Sequence, residues 1–262
     1  MQIRKYPRTP HIQGSNLQAG DEDISQIPFS KIQGQEIVVE EKIDGANTGI
    51  SFDENGKLYL QSRGKFLEGG YREKHYQLFK VWAIHHSAQL YEALGDRYVM
   101  YGEWMYVKHH VYYDALPGYF IEFDIYDKKE NCFLDTPSRR KITEPLHIPS
   151  VPVLKVGKFR NVQELLKLIG PSNYIGPQSK QKLAAYVAKK NLPQSLITDE
   201  TDPSSLMEGL YIKVEKDGKV ADRMKYVRRD YKQYAVAEDQ NWLEHPVVPN
   251  GITVPQEEWL KH

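Results

Sequence analysis

The 262-residue chain predicts an α+β fold built on antiparallel sheets flanked by helices, and three observations carry that expectation. Short apolar runs recur with turn residues between them, which is the pattern of hairpin-linked strands. Other segments carry apolar residues near helical spacing. No repeat, low-complexity linker or clear second domain interrupts these elements, so a single mixed domain is expected.

Residues 1–34 contain Pro7, Pro10, Pro28, Gly14, Gly20 and Gly34 with little periodicity, and read as an extended segment lying on the rest of the molecule. Strands are expected at 36–43, 47–53 and through Leu58-Tyr59-Leu60-Gln61, with Asp53-Glu54-Asn55-Gly56 as a hairpin turn. A long helix is expected over 73–94 from Leu78, Val81, Trp82, Ile84, Leu90 and Leu94. Strands return at Arg97–Tyr106 and Tyr119–Tyr126, and the turn 127–131 leads into Cys132-Phe133-Leu134. A strand over 151–159 precedes helices at Asn161–Ile169 and Ser179–Lys190, the second closed by Pro193. Leu210–Val214 and Val220–Tyr226 form a further strand pair around Lys216-Asp217-Gly218. Beyond residue 235, Pro246, Pro249 and Pro255 argue against regular structure in the tail.

Composition narrows the class. Net charge is zero, tyrosine occurs 18 times and mean hydropathy is −0.62, which suits a globular chain with many half-buried aromatics. No apolar run approaches the length of a bilayer span, and Met1-Gln2-Ile3-Arg4-Lys5 leads into no signal-like segment. The single Cys132 excludes an internal disulfide and a multi-cysteine zinc site, so a reducing, cytoplasmic setting is expected. Zero net charge argues against coating nucleic acid through the overall field. Residues 211–232 nevertheless carry a local excess of four positive charges, compatible with local phosphate binding.

The most informative stretch is Lys42-Ile43-Asp44-Gly45, at the end of the Ile37-Val38-Val39 strand. A strand-end lysine beside a flexible glycine can serve as a nucleophilic amine. Such an amine is almost wholly protonated at neutral pH unless burial or nearby positive charge lowers its pKa. Other segments pair functional groups with strands. Ser62-Arg63-Gly64-Lys65 sets a guanidinium at a strand end, where it can reach phosphate or ribose. Tyr101-Gly102-Glu103-Trp104 sets a carboxylate beside a glycine, and Phe120 and Glu122 share one face of a strand with Ile121 and Phe123 on the other. Glu208-Gly209-Leu210-Tyr211-Ile212-Lys213 pairs an acid with a lysine, and Arg223-Met224-Lys225-Tyr226-Val227-Arg228 supplies three cations.

In this order the segments resemble the covalent nucleotidyltransferases, the superfamily of ATP-dependent ligases and messenger-RNA capping enzymes. With Glu41 before the lysine and Asn47 after it, they are most similar to the RNA ligase 2 group. The resemblance spans residues 36–230. It implies a ligase adenylation domain in which Lys42 attacks the α-phosphate of ATP and carries AMP. Lys213 and Lys225 would depress the Lys42 pKa and neutralise phosphate charge. Glu208 would position Mg²⁺ or Mn²⁺, and Asp44 would support the nucleophile or the later sealing steps. Arg63 and Glu103 would contact the ribose, Phe123 would stack on adenine, and Glu41 and Ile43 would flank the purine mainly through backbone groups. AMP would pass to a 5′-phosphate, and a 3′-hydroxyl would displace it.

Motif V departs from the group's pattern of two lysines spaced two apart. Either Lys225 is the first, leaving Val227 in the second place with Arg228 adjacent, or Arg223 is the first and Lys225 the second. The tail is too short for the oligonucleotide-binding barrel that DNA ligases and capping enzymes append. The expected layout is therefore a nucleotidyltransferase domain over 1–235 and a tail over 236–262. RNA ends or a nicked duplex are the expected substrate, with a partner protein for end-healing or grip and no membrane. A capping-type guanylyltransferase, a minimal DNA ligase and a non-catalytic nucleotide- or RNA-binding module are the other readings. The histidine pairs 85–86 and 109–110 are expected to point apart rather than bind zinc, and Trp82, Trp104, Tyr112 and Tyr113 to pack in the core. The segment around Thr9-Pro10-His11 and Gly14-Ser15 is expected to cover one side of the nucleotide pocket.

Overall fold

A computed structural model describes residues 2–17, 21, 25–231 and 246–261. Two antiparallel sheets dominate these residues. The first comprises β1 (Ile37–Lys42), β7 (Val153–Gly157), β8 (Gly209–Lys216) and β9 (Lys219–Val227), in the order β7-β1-β8-β9. The second comprises β2 (Ala46–Phe52), β3 (Leu58–Ser62), β4 (Tyr98–Trp104), β5 (Phe120–Asp127) and β6 (Cys132–Phe133), in the order β3-β2-β4-β5-β6.

Each sheet buries its own apolar cluster. Ile37, Val39, Ile212, Val214 and Met224 meet Ile12 and Phe29 of the N-terminal segment and Leu165 of α4 (Val162–Leu166). Ile50, Phe52, Met100, Phe120 and Ile125 pack against α1 (Gln77–His85) and α2 (Ser87–Leu94). The single long helix expected over 73–94 is interrupted at His86 and preceded by a 3-10 segment, Tyr71–Tyr76. Its buried stripe runs Phe79, Trp82, Ala83, Leu90 and Leu94, while Val81 and Ile84 face outward. The interruption is one residue long, so the apolar period survives it.

Between the sheets lies a buried ionic layer. Arg139 donates to both Glu122 oxygens at 2.9 Å and pairs with Glu40. Lys213 Nζ lies 3.0 Å from Glu40 and 3.0 Å from Asp124, and Arg223 Nη1 lies 2.8 Å from Asp124. Three cations thus face three carboxylates, as buried charges must be paired. Glu40 comes from β1, Lys213 from β8 and Arg223 from β9, whereas Glu122 and Asp124 come from β5 of the other sheet. Arg139 arrives on α3 (Thr136–Thr143), an element the sequence reading lacked. Asp135 caps that helix by accepting from the Ser138 amide at 2.9 Å, and Pro137 stands in its first turn.

The tail is less irregular than its prolines implied. Residues 249 and 252 bridge to Val107 and Leu116, and α7 (Gln256–Trp259) buries Trp259 among Trp82, Trp104 and Tyr119. The expected boundary at residue 235 lies outside the described residues.

Candidate active site

The chain leaves the first sheet at Lys42 and enters the second at Ala46, so Ile43-Asp44-Gly45 is the crossover between them. Side-chain volume is restricted there. A Cβ on Gly45 would lie 2.6 Å from Met105 Sδ and 2.9 Å from the Trp104 carbonyl. The neighbouring strand is equally tight, since a Cβ on Gly209 would lie 1.8 Å from the Tyr226 carbonyl oxygen.

A cavity of about 550 Å³ opens over this crossover. It is lined by Glu41, Lys42, Ile43, Asp44 and Asn47 from the first motif, by Arg63 and Glu103, and by Phe123, Glu208 and Lys225. Of the residues expected at the site, only Lys213 lies off this lining. Its wholly buried ammonium sits in the ionic layer and donates to the Phe123 carbonyl at 2.6 Å. Phe123 itself is an extra residue in β5: Tyr101 pairs with Asp124 and Gly102 with Glu122, leaving Phe123 opposite no partner. This bulge replaces the simple alternation of faces expected from the sequence, and Phe123 is half-buried at the cavity wall.

Lys42 Nζ donates to Glu208 Oε2 at 2.6 Å. Burial works to lower the lysine pKa, but Glu208 outweighs it, with Glu103 and Asp44 adding to the effect, so the ammonium is held protonated. The expectation that Lys213 and Lys225 depress this pKa is therefore corrected: Lys213 is neutralised by two carboxylates, and the charges nearest Lys42 are negative. The depressed lysine is Lys225, lowered by burial and by Lys42, against a bond to Asp21 that raises it. Burial pushes Glu103 up to about 8, with Lys42 opposing and Asp44 and Glu208 contributing. Glu103 Oε1 also accepts from the Gly45 amide at 3.2 Å.

The Glu41 side chain is committed elsewhere. It accepts from Ser172 Oγ at 2.5 Å and from Asn173 Nδ2 at 2.6 Å, leaving its backbone nearer the cavity. Asn47 Oδ1 is buried on the cavity wall with no hydrogen-bond partner among the described residues, a ready acceptor for a bound molecule. Arg63 is exposed at the rim.

Neither candidate companion of Lys225 reaches the cavity. Arg223 is held by Asp124 and by Tyr6, whose hydroxyl lies 2.6 Å from its Nη1. Val227 is core, and Arg228 is buried against Asp202, the Met207 carbonyl and Ser204. Lys225 alone among these motif V residues lines the cavity.

Sequence reasoning missed several lining residues. The N-terminal segment supplies Tyr6, Pro7 and Thr9, with Thr9 Oγ1 2.8 Å from the Tyr211 hydroxyl. Tyr211 shares a strand face with Gly209 and Lys213 by period two, which was the available signal. His109 and His110 both line the cavity, each with Nδ1 3.8 Å from an Asp44 oxygen. The expectation that this pair points apart fails because residues 105–118 form a loop rather than a continued strand. Trp82, Trp104 and Tyr113 are buried as expected, whereas Tyr112 is only half-buried. No group of three or more metal-binding side chains occurs among the described residues, and no helix among them is long and apolar enough to cross a membrane.

A family model described as RNA ligase matches residues 35–227, most of the chain. Among solved structures the fold is similar to that of Naegleria gruberi RNA ligase. A mutant with ATP and Mn aligns at TM-score 0.52 and 15% identity, covering 87% of this chain and 56% of that one. The same ligase with PPi aligns at 0.51 and 18%, covering 86% and 56%. Another mutant, with AMP and Mn, aligns at 0.50 and 16%, covering 84% and 59%. The chain thus spans little more than half the length of these proteins, and identity this low establishes likeness of fold. No curated protein matches the sequence.

Proposed function

The chain belongs to the RNA ligase family, and we propose that it is an ATP-dependent RNA ligase in which Lys42 carries AMP. The observation that supports this most directly is the Lys42 ammonium at the sheet crossover, beside Glu208 and in one cavity with Glu103, Arg63, Phe123 and Lys225. The structural neighbours with ATP, AMP or PPi are consistent with a nucleotide in that cavity.

In the proposed first step Lys42 Nζ, having lost its proton to solvent, attacks the α-phosphorus of ATP. A P–N bond forms, the bond to the bridging oxygen breaks, and pyrophosphate leaves with that oxygen's electron pair. Lys225, a lysine with depressed pKa on the same cavity wall, pairs with the phosphate in place of Asp21. Phe123 offers a ring to the adenine, and Arg63 and Glu103 reach the ribose. A 5′-phosphate oxygen of the RNA then attacks the adenylate phosphorus, the P–N bond breaks, and Lys42 regains a proton. Finally a 3′-hydroxyl attacks the 5′-phosphorus, releasing AMP and leaving a phosphodiester.

The residues suit a hard divalent cation held mainly by phosphate oxygens and water, with the buried Glu208 carboxylate as its protein contact. Mg²⁺ or Mn²⁺ there supplies positive charge that offsets the phosphate oxygens and draws Glu208 from Lys42. The proposed layout is one nucleotidyltransferase domain over 1–235 with a tail over 236–262. The proposed substrate is an RNA end or nick.

The test is incubation with ATP labelled at the α-phosphate, followed by denaturing electrophoresis. The label is expected to stay on the protein, to be lost in Lys42→Ala, and not to be replaced by label from GTP. A nicked RNA duplex should then be sealed. Label that persists in Lys42→Ala would falsify the nucleophile assignment.

A further inference from the structure

The loop between β4 and β5 is built into the lysine's surroundings more closely than its position in the sequence suggests. Asp44 Oδ2 accepts the amides of His110 at 2.7 Å and Val111 at 3.0 Å, and the Asp44 amide donates to the Tyr113 hydroxyl at 2.8 Å. The His109 and His110 rings stand 3.8 Å from separate oxygens of the same carboxylate. Their loop is clamped from behind. Lys108 Nζ donates to the carbonyls of His109 and Glu200 at 2.8 Å each, and the Lys108 amide donates to the Val248 carbonyl at 2.8 Å.

We propose that His109 and His110 are positioning residues that act on Lys42 through Asp44, holding its carboxylate and offsetting its charge when an imidazole takes up a proton. This rests on the reading of Lys42 as the AMP carrier only for its consequence in catalysis. The physical chain is short. Asp44 helps hold Lys42 protonated, and the two imidazoles and Lys42 in turn hold Asp44 ionised against the cost of burial. An imidazolium beside Asp44 balances that charge and also repels the ammonium, so it lowers the pKa of Lys42. The groups facing His109 are Asp44, His110, Lys108 and Lys42; Asp44 and the Tyr231 ring, at 6.3 Å, face His110. Burial lowers the His109 pKa, with Asp44 opposing, so its protonation falls on the acid side of neutral.

The consequence is an offset confined to acid pH. Below neutrality the wild-type imidazoles charge and counter the field that keeps Lys42 protonated; His109→Asn and His110→Asn retain an amide donor for Asp44 but do not titrate. The measurement is amine labelling of the intact protein with acetic anhydride from pH 5.5 to 8.5, read at the Lys42 peptide by mass spectrometry. In the double Asn variant, Lys42 labelling is expected to match wild type near pH 8.5 and to fall about tenfold below it near pH 5.5, one pKa unit being tenfold in free amine. Parallel profiles across the range overturn the proposal, whatever happens to thermal stability. The readout needs no turnover, so it stands apart from the AMP-loading test: absence of label from ATP would sink the ligase reading and leave this result to be judged by itself.

Discussion

At the scale of single residues, the cavity is governed by one short contact between Lys42 and Glu208, 166 positions apart in the chain. Because Glu208 is the main cause raising the lysine pKa, Glu208→Gln should lower it. The expected outcome is Lys42 amine labelling that sets in at lower pH, together with loss of AMP loading if the same carboxylate contacts the cation. Glu103 gives a second prediction. Its pKa is about 8 in the folded protein, above the ordinary carboxyl value near 4.5. The folded state therefore binds the extra proton between these values, and that stability is full below about pH 4.5 and lost as pH rises through 8. Glu103→Gln should leave Tm little changed at pH 5 and raise it relative to wild type at pH 8.5, by about 2–4 °C per kcal/mol for a chain of this size. An equal difference at both pH values would count against the assignment.

At the scale of elements, the site depends on how closely the strands approach. Lys42 pairs with Gly209, and Gly209 with Val227, so β1, β8 and β9 deliver the first motif, motif IV and motif V in one row. A methyl group on Gly209 would overlap the Tyr226 carbonyl, so Gly209→Ala should cost about 1–3 kcal/mol and displace Glu208 from Lys42. Urea unfolding measures the first effect and AMP loading the second. The helix α3 matters through one side chain. Arg139→Met leaves Glu40 and Glu122 buried without their shared cation, and should destabilise the fold by about 3–5 kcal/mol. Near-neutral behaviour in denaturant would show that the layer rearranges.

At the scale of the whole molecule, chain ends and middle are bound to one another around the cavity. Tyr6 hydrogen-bonds Asp124 at 2.5 Å and lies 2.6 Å from the Tyr211 hydroxyl, joining the N-terminal segment to both sheets. At the other end Asn250 accepts from the Tyr113 amide at 3.0 Å and donates to the Met105 carbonyl at 2.7 Å, bracing the loop that carries His109. Trp259 stacks on Trp82 at 5.7 Å and closes the core beneath that loop. Trp259→Ala should therefore cost about 3–5 kcal/mol in equilibrium unfolding. A loss below about 1 kcal/mol would mean that the C-terminal segment is peripheral to the core.

The sequence by itself determined the α+β class, the order of most strands and the segments that meet at the cavity. Those properties are written locally: apolar alternation makes a strand, a turn residue ends it, and Lys42, Glu103 and Glu208 each sit in a recognisable short motif. The helix α3 was equally local, through its Asp135 cap and Pro137, and was overlooked. The tertiary structure alone decided the charge of Lys42 and the destination of Lys213. Both depend on which carboxylates converge from distant strands, and Coulomb interactions follow distance in space rather than position in the chain. The same holds for His109 and His110, which sequence spacing sets apart and a clamped loop brings to one carboxylate.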